Sequence, residues 1–114
     1  MPDTAYTVTA TLPDTRTRDE YVAWLQEGHL AQVIQGGAAT AAILLLTDPA
    51  SPIRVQTRYT FSSPEALDRY VRDHAPALRA DGLARFPPAR GVSFVREIAT
   101  ILPSSGLVQD PSCP

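Results

Sequence analysis

Tyr6, Val8, Ala10 and Leu12 alternate with Thr7, Thr9 and Thr11, and this period of two predicts a strand with one buried and one polar face. Pro13 and Asp14 end it. A helix is expected next, because Thr17 and Glu20 have capping-box spacing and Val22, Leu25 and His29 form a stripe with Tyr21, Trp24 and Gly28 beside it. That helix should break near Gly28, resume as a short turn through Leu30, Val33 and Ile34, and stop at Gly36-Gly37. From Ala38 to Thr47 the run AATAAILLLT is apolar in both alternating registers, the pattern of a strand covered on both faces. After the turn Asp48-Pro49-Ala50-Ser51-Pro52, residues Ile53, Val55, Tyr59 and Phe61 are set against Arg54, Gln56, Arg58 and Thr60, so strands two and three are expected to form a hairpin.

The second half repeats the plan. Ser63 followed by Pro64 and Glu65 marks a helix start, and Leu67, Tyr70, Val71, His74 and Leu78 continue it at helical spacing. Pro76 disfavours helical geometry at Ala75, which predicts two abutting helices. Asp81-Gly82 weakens the second of these without ending it, and Phe86-Pro87-Pro88 closes it. A last strand runs roughly from Arg90 to Leu102, with Val92, Phe94, Ile98 and Leu102 on one face and Val95, Ala99 and Ile101 on the other.

The order βαββαβ, with YVAWLQEGHLAQVI in the first half answered weakly by LDRYVRDHAPALR in the second, predicts an α+β, ferredoxin-like fold. Its four-stranded antiparallel sheet has strands one and three central, strands two and four at the edges, and helices on one face. The other face then shows Thr7, Thr9, Thr11, Arg54, Gln56 and Arg58 at its centre. Apolar residues of strand two surround them, either Ala41, Ile43 and Leu45 or Ala42, Leu44 and Leu46. A polar centre inside an apolar rim is the anatomy of an association surface. A homodimer with two sheets face to face, a dimeric α/β barrel, is expected. The domain is placed at 1–102, with 103–114 a tail that is flexible or docks on the partner.

Length and composition narrow the partners. At 114 residues one domain is expected, able to bury roughly two-thirds of its unfolded surface. A net charge of -2 gives no basic footprint for nucleic acid or anionic lipid. The start MPDTAYTVTATLPD lacks the charged and apolar regions of an export signal, and AAILLL is far short of a membrane span. The single cysteine, Cys113, cannot form an internal disulfide, so a cytoplasmic location is expected. All ten basic residues are arginine, a preference that genomic base composition explains as readily as anion binding.

His29 and His74 occupy corresponding places near the ends of the two main helices and are the candidates for general acid/base or ligand duty. The plain structural alternative is that each caps its helix. Neither has Cys, Asp or Glu at metal-ligand intervals, so no metal is expected. Trp24 and Tyr59 are candidates to line a ligand cavity, with ordinary core packing as the alternative. Arg54 and Arg58, four apart on one strand, point to the same side and can grip a carboxylate or phosphate, or else pair with acids such as Glu97. No serine or cysteine lies in a nucleophile motif, and Gly36-Gly37 lacks the rest of a phosphate loop. An RNA-recognition module would show stacking aromatics where strands one and three here carry threonines and arginines. An acylphosphatase-like enzyme would carry an arginine in a glycine-rich loop after the first strand, where Leu12-Pro13-Asp14 stands instead.

The segments WLQEGHL, LDRYVRDHAPALRADGLARF and VSFVREIATIL together resemble a family of small bacterial proteins of unknown function over roughly Tyr6 to Leu102. The resemblance implies a dimeric α/β barrel and brings no established reaction; the Pro87-Pro88 connection and the tail depart from it. The expectation is therefore a homodimer that binds a small organic ligand between sheet and helices or between the two sheets, with no cofactor required by the sequence. The alternatives are a cofactor-free or haem-dependent monooxygenase or isomerase using His29 or His74 with Trp24, which is an analogy of fold, and a partner-binding module.

Overall fold

The computed structural model describes residues 3–103, so the tail beyond Pro103 lies outside the described residues. Four strands, β1 (Thr4–Leu12), β2 (Thr40–Leu45), β3 (Ile53–Phe61) and β4 (Ser93–Thr100), form one antiparallel sheet in the order β2-β3-β1-β4. The first crossover runs through α1 (Thr15–Trp24), a π-helical turn (Leu25–His29) and α2 (Leu30–Gln35). The second runs through α3 (Pro64–Asp73), α4 (Ala75–Arg85) and a 3-10 turn (Pro88–Arg90). This is the split βαβ arrangement predicted from the hydrophobic pattern.

Local chemistry explains the helix boundaries. Ser63 is in extended geometry and its Oγ accepts the Ala66 N–H at 3.1 Å, with Pro64 at the first position. In α1 the cap is Asp14, whose Oδ1 accepts the Thr17 N–H at 2.7 Å. The expected Thr17–Glu20 capping box does not form: Thr17 is already inside the helix and buried, and Glu20 instead meets Arg90 at 2.7 Å. That ion pair, with Arg90 also over the Phe86 ring and bonded to the Arg85 carbonyl, ties the proline-rich connection to α1. Pro76 begins α4 as expected, and Gly82 is accommodated inside it.

The helices cover one face of the sheet. Tyr6, Tyr59 and Phe61 pack with Val33, Leu67, Tyr70 and Ala75, while Ala10, Leu12 and Val55 pack with Tyr21, Leu25 and Phe86. Thr57 is buried among them, opposite Val8 on β1. On the other face β1 and β3 pair Thr7 with Arg58, Thr9 with Gln56 and Thr11 with Arg54. The register of β2 places Ala42 opposite Arg58 and Leu44 opposite Gln56, so Ala42 and Leu44 flank the polar centre, and Ala41, Ile43 and Leu45 turn toward the helices. On β4, Val95 stands opposite Thr9 and Ala99 opposite Ala5. The strand is shorter than predicted because residues 88–90 form a turn that Gly91 ends in the left-handed region, φ 80°.

Both edge strands keep apolar surface that their own chain does not cover, including Leu45, Val95 and Ile98. Sequence reading expected β2 to be covered on both faces. Within one chain it is an edge strand, and Ala42 and Leu45 are exposed.

Candidate functional site

In a regular α-helix Trp24 would lie beneath residue 28, four positions on. The π turn changes this, because the Leu30 N–H reaches back five residues to the Leu25 carbonyl and brings His29 over the indole instead. The rings stack with centroids 4.2 Å apart and planes at 26°. Widened turns of this kind recur at functional sites. The break expected near Gly28 is present: Gly28 leaves helical geometry at φ 175° and ψ -28°, and the helix kinks there. In the second half, where α3 meets α4, Tyr70 and His74 sit at 6.3 Å and 15°.

Trp24 and His29 form one wall of a cavity between the helices and the sheet, with an empty volume of about 470 Å³ counting its open mouth. Tyr6, Val8, Thr57 and Tyr59 supply the floor from β1 and β3, and Tyr70, Leu78, Arg79 and Gly82 line it from α3 and α4. Exposed Leu83 and Arg96 stand at the mouth. The Arg79 Nη2 donates to the Tyr6 hydroxyl at 3.2 Å, and Tyr6 packs against both Tyr59 and Tyr70 at about 6 Å.

Among the described residues five buried side-chain polar atoms make no hydrogen bond, and three of them belong to this cavity's lining: His29 Nδ1, the Tyr59 hydroxyl and Arg79 Nε. Buried donors and acceptors are ordinarily paired. Burial holds the His29 imidazole down from 6.5 to about 4, offset slightly by Asp81, so it is neutral at pH 7. Burial pushes the Tyr59 phenol up to about 12, with the Thr57 hydroxyl opposing. It also raises Tyr70 and Tyr21, the Arg96 charge opposing in both. The wall therefore presents neutral phenols, a neutral imidazole and two guanidinium groups.

Of the residues singled out from sequence, Trp24, His29 and Tyr59 come together here. Arg54 and Arg58 lie across the sheet on its open face, where Arg54 Nη2 donates to the Pro49 carbonyl at 3.0 Å and Arg58 to Gln56 at 3.1 Å. They share no cavity with the other three. His74 is exposed at the junction of α3 and α4, its N–H bonded to the Tyr70 carbonyl and its own carbonyl accepting from Leu78. It lines a separate shallow groove with Gln32, Gln35 and Asp73. Tyr6, Tyr70, Arg79 and Arg96 were not singled out. The available signal was that three tyrosines fell on predicted buried faces, where each phenol needs a partner.

No group of three or more His, Cys, Asp or Glu able to hold a metal ion occurs among the described residues, and none of their helices is long and apolar enough to cross a membrane.

Solved structures share this fold at low sequence identity. A dimeric ferredoxin-like protein from an uncultured marine organism superposes with a TM-score of 0.68 at 10% identity, over 91% of this chain and 99% of that one. An ethyl tert-butyl ether d (ethd) family protein from Bacillus halodurans C-125 gives 0.66 at 14%, over 90% and 100%. SnoaB, a cofactor-independent oxygenase from Streptomyces nogalater, gives 0.59 at 10%, over 92% and 98%. No curated protein matches the chain in sequence. The match that reaches the level of family spans residues 4–101, nearly all of the described sheet and helices, and by it the chain belongs to the family described as Domain of unknown function (DUF4286).

Proposed function

We propose that this chain acts as a cytoplasmic homodimer that takes a small organic molecule into the cavity between its helices and sheet. One observation carries the binding reading: three residues that line this aromatic-walled cavity, His29, Tyr59 and Arg79, each hold a buried side-chain polar atom without a hydrogen bond. A molecule with complementary polar atoms would recover hydrogen bonds that the folded chain leaves unmade.

The dimer reading rests on the open face. Val95, 56% exposed, and the partly covered Leu44 flank the Thr–Gln–Arg centre, and Arg54 Nε is buried there without a partner. The structurally similar ferredoxin-like protein from an uncultured marine organism is described as dimeric, which supports a dimer.

Thermal shift against a panel of small organic molecules, read beside sedimentation velocity, tests both parts. Saturation at a hundred times Kd should add about 2.7 kcal/mol of stability. A melting temperature that no compound moves overturns the binding reading, and a lone 12.3 kDa particle at micromolar concentration overturns the dimer.

A second reading, an oxygenase or isomerase without a cofactor, is favoured by the neutral imidazole of His29 facing the cavity as a potential proton acceptor and by the likeness to SnoaB. Turnover that survives His29→Gln unchanged would count against it.

A further inference from the structure

The charge of the cavity wall is one-sided. Arg79 and Arg96 both line it, and no aspartate or glutamate does. The acid nearest in effect to His29, Asp81, is exposed and pairs with Arg85 at 3.3 Å. Arg16, Arg18, Arg72, Arg85 and Arg90 all have carboxylate partners within 4.0 Å, whereas Arg79 and Arg96 have none among the described residues. Arg79 is only partly exposed, so its uncompensated guanidinium costs more than a surface arginine would.

The geometry of Arg79 narrows this further. Nε and Nη2 lie on one edge of a guanidinium, the edge that grips a carboxylate with two parallel N–H···O bonds. Here Nη2 donates to the Tyr6 hydroxyl at 3.2 Å, and Nε is buried and makes no bond. The rest of the wall is flat and aromatic: the Trp24–His29 stack on one side, and Tyr6, Tyr59 and Tyr70 on the other. A phosphate ester would call for more donors, such as backbone N–H groups, than this lining offers.

We infer that the ligand of this cavity is a small aromatic carboxylate, its carboxylate held on the Nε–Nη2 edge of Arg79 and its ring between the Trp24–His29 stack and the tyrosines. The inference rests on the binding reading above and adds the ligand's class. The Tyr59 hydroxyl then serves a polar substituent on the ring, and Arg96 at the mouth attracts the anion on entry. A bound carboxylate also favours the protonated form of His29 and so raises its pKa.

Matched pairs of acids and amides test it: benzoate with benzamide, 4-hydroxybenzoate with 4-hydroxybenzamide, and 1-naphthoate with 1-naphthamide. Trp24 is the sole tryptophan, so its indole N–H resonance in nitrogen-15-labelled protein reports on the cavity alone. At least one acid should shift that resonance, and its amide should bind at least about tenfold more weakly. Arg79→Gln should remove the preference, and the bound acid should move the His29 titration upward. Arg96→Gln, at an exposed position where folding is not at stake, should weaken the acid with a smaller effect on the amide. Amides that bind as tightly as their acids overturn the carboxylate assignment while leaving the cavity reading intact. Indole and melting temperature unmoved by every acid and amide overturn both.

Discussion

The Trp24 and His29 rings lie 4.2 Å apart and 26° from parallel because a π turn places residue 29, and not residue 28, over the indole. The stack keeps the imidazole partly buried, and burial is the main cause of its low pKa, about 4 against 6.5. Between those two values the unfolded chain holds the proton and the folded chain does not. Lowering the pH through that window therefore favours unfolding. His29 adds no pH dependence above about 6.5, destabilises progressively as pH falls, and exerts its whole effect below about 4. Urea midpoints between pH 4 and 7 should decline more steeply in the native protein than in His29→Gln. Carboxylates titrate in both chains and cancel. Equal slopes would show that the imidazole is not held neutral.

Two glycines should respond oppositely to alanine. A Cβ on Gly36 would come 2.8 Å from Tyr70 Cδ1 and 3.2 Å from His74 Cγ, and Tyr70 is a core ring that cannot swing away. Gly36→Ala should cost about 1–3 kcal/mol. At Gly82, inside α4, the nearest atom would be Trp24 Cη2 at 3.4 Å, an ordinary contact. Gly82→Ala should gain about 0.5–1 kcal/mol from helix propensity while narrowing the cavity it lines. Chemical denaturation of the two variants checks the signs.

Tyr59→Phe separates function from stability. Its hydroxyl is buried and makes no hydrogen bond of good geometry, with only the Thr57 hydroxyl acting on it, so its removal should change stability by no more than about 1 kcal/mol. A ligand that uses the hydroxyl should bind less tightly. A loss of more than about 1 kcal/mol in denaturation would mean that the hydroxyl is satisfied in the folded protein.

The end of α3 shows the energetic weight of a single side chain. Ser63 Oγ accepts the Ala66 N–H at 3.1 Å, and Ser63→Ala should cost about 1 kcal/mol. Ser63→Asp keeps an acceptor there and should restore most of the loss. An alanine variant as stable as the native chain would show that the cap is made by water instead.

The strands were legible because threonine alternation in β1 and arginine alternation in β3 put both polar sets on one face, and the pairs Thr7–Arg58 and Thr11–Arg54 realise that parity. The Ser63 start and the Pro76 junction were legible because proline geometry is local. Asp14 displaced Thr17 as the cap of α1 because Thr17 is needed in the packed interior, which is a tertiary fact. The site was half legible: Trp24, His29 and Tyr59 share a cavity, while Arg54 and Arg58 lie on the open face where strand parity places them, with no part in that cavity. Arg79 escaped notice because its partner, Tyr6, lies 73 residues away, and no spacing rule spans that distance. In LQEGH the glycine marked the irregularity, since Gly28 is the residue that leaves helical geometry, but nothing in the segment announced the i-to-i-5 bond that accompanies it.

The open face supplies the last prediction. Val95 lies on the edge strand β4, opposite Thr9, and is 56% exposed, so a charge placed there meets solvent in a single chain and costs the isolated fold little. In a two-fold pairing of these faces the same substitution replaces two apolar side chains by two like-charged carboxylates that must lose water on association. Val95→Asp should therefore weaken self-association at least about a hundredfold, some 2.7 kcal/mol, and leave the far-ultraviolet circular dichroism unchanged. Gln26→Asp, exposed on the helical layer that faces away, should sediment as the native protein does, at twice the chain mass of 12.3 kDa. A Val95→Asp protein that remains dimeric would mean that the two copies meet through some other surface, and that the open face of the sheet is not the interface.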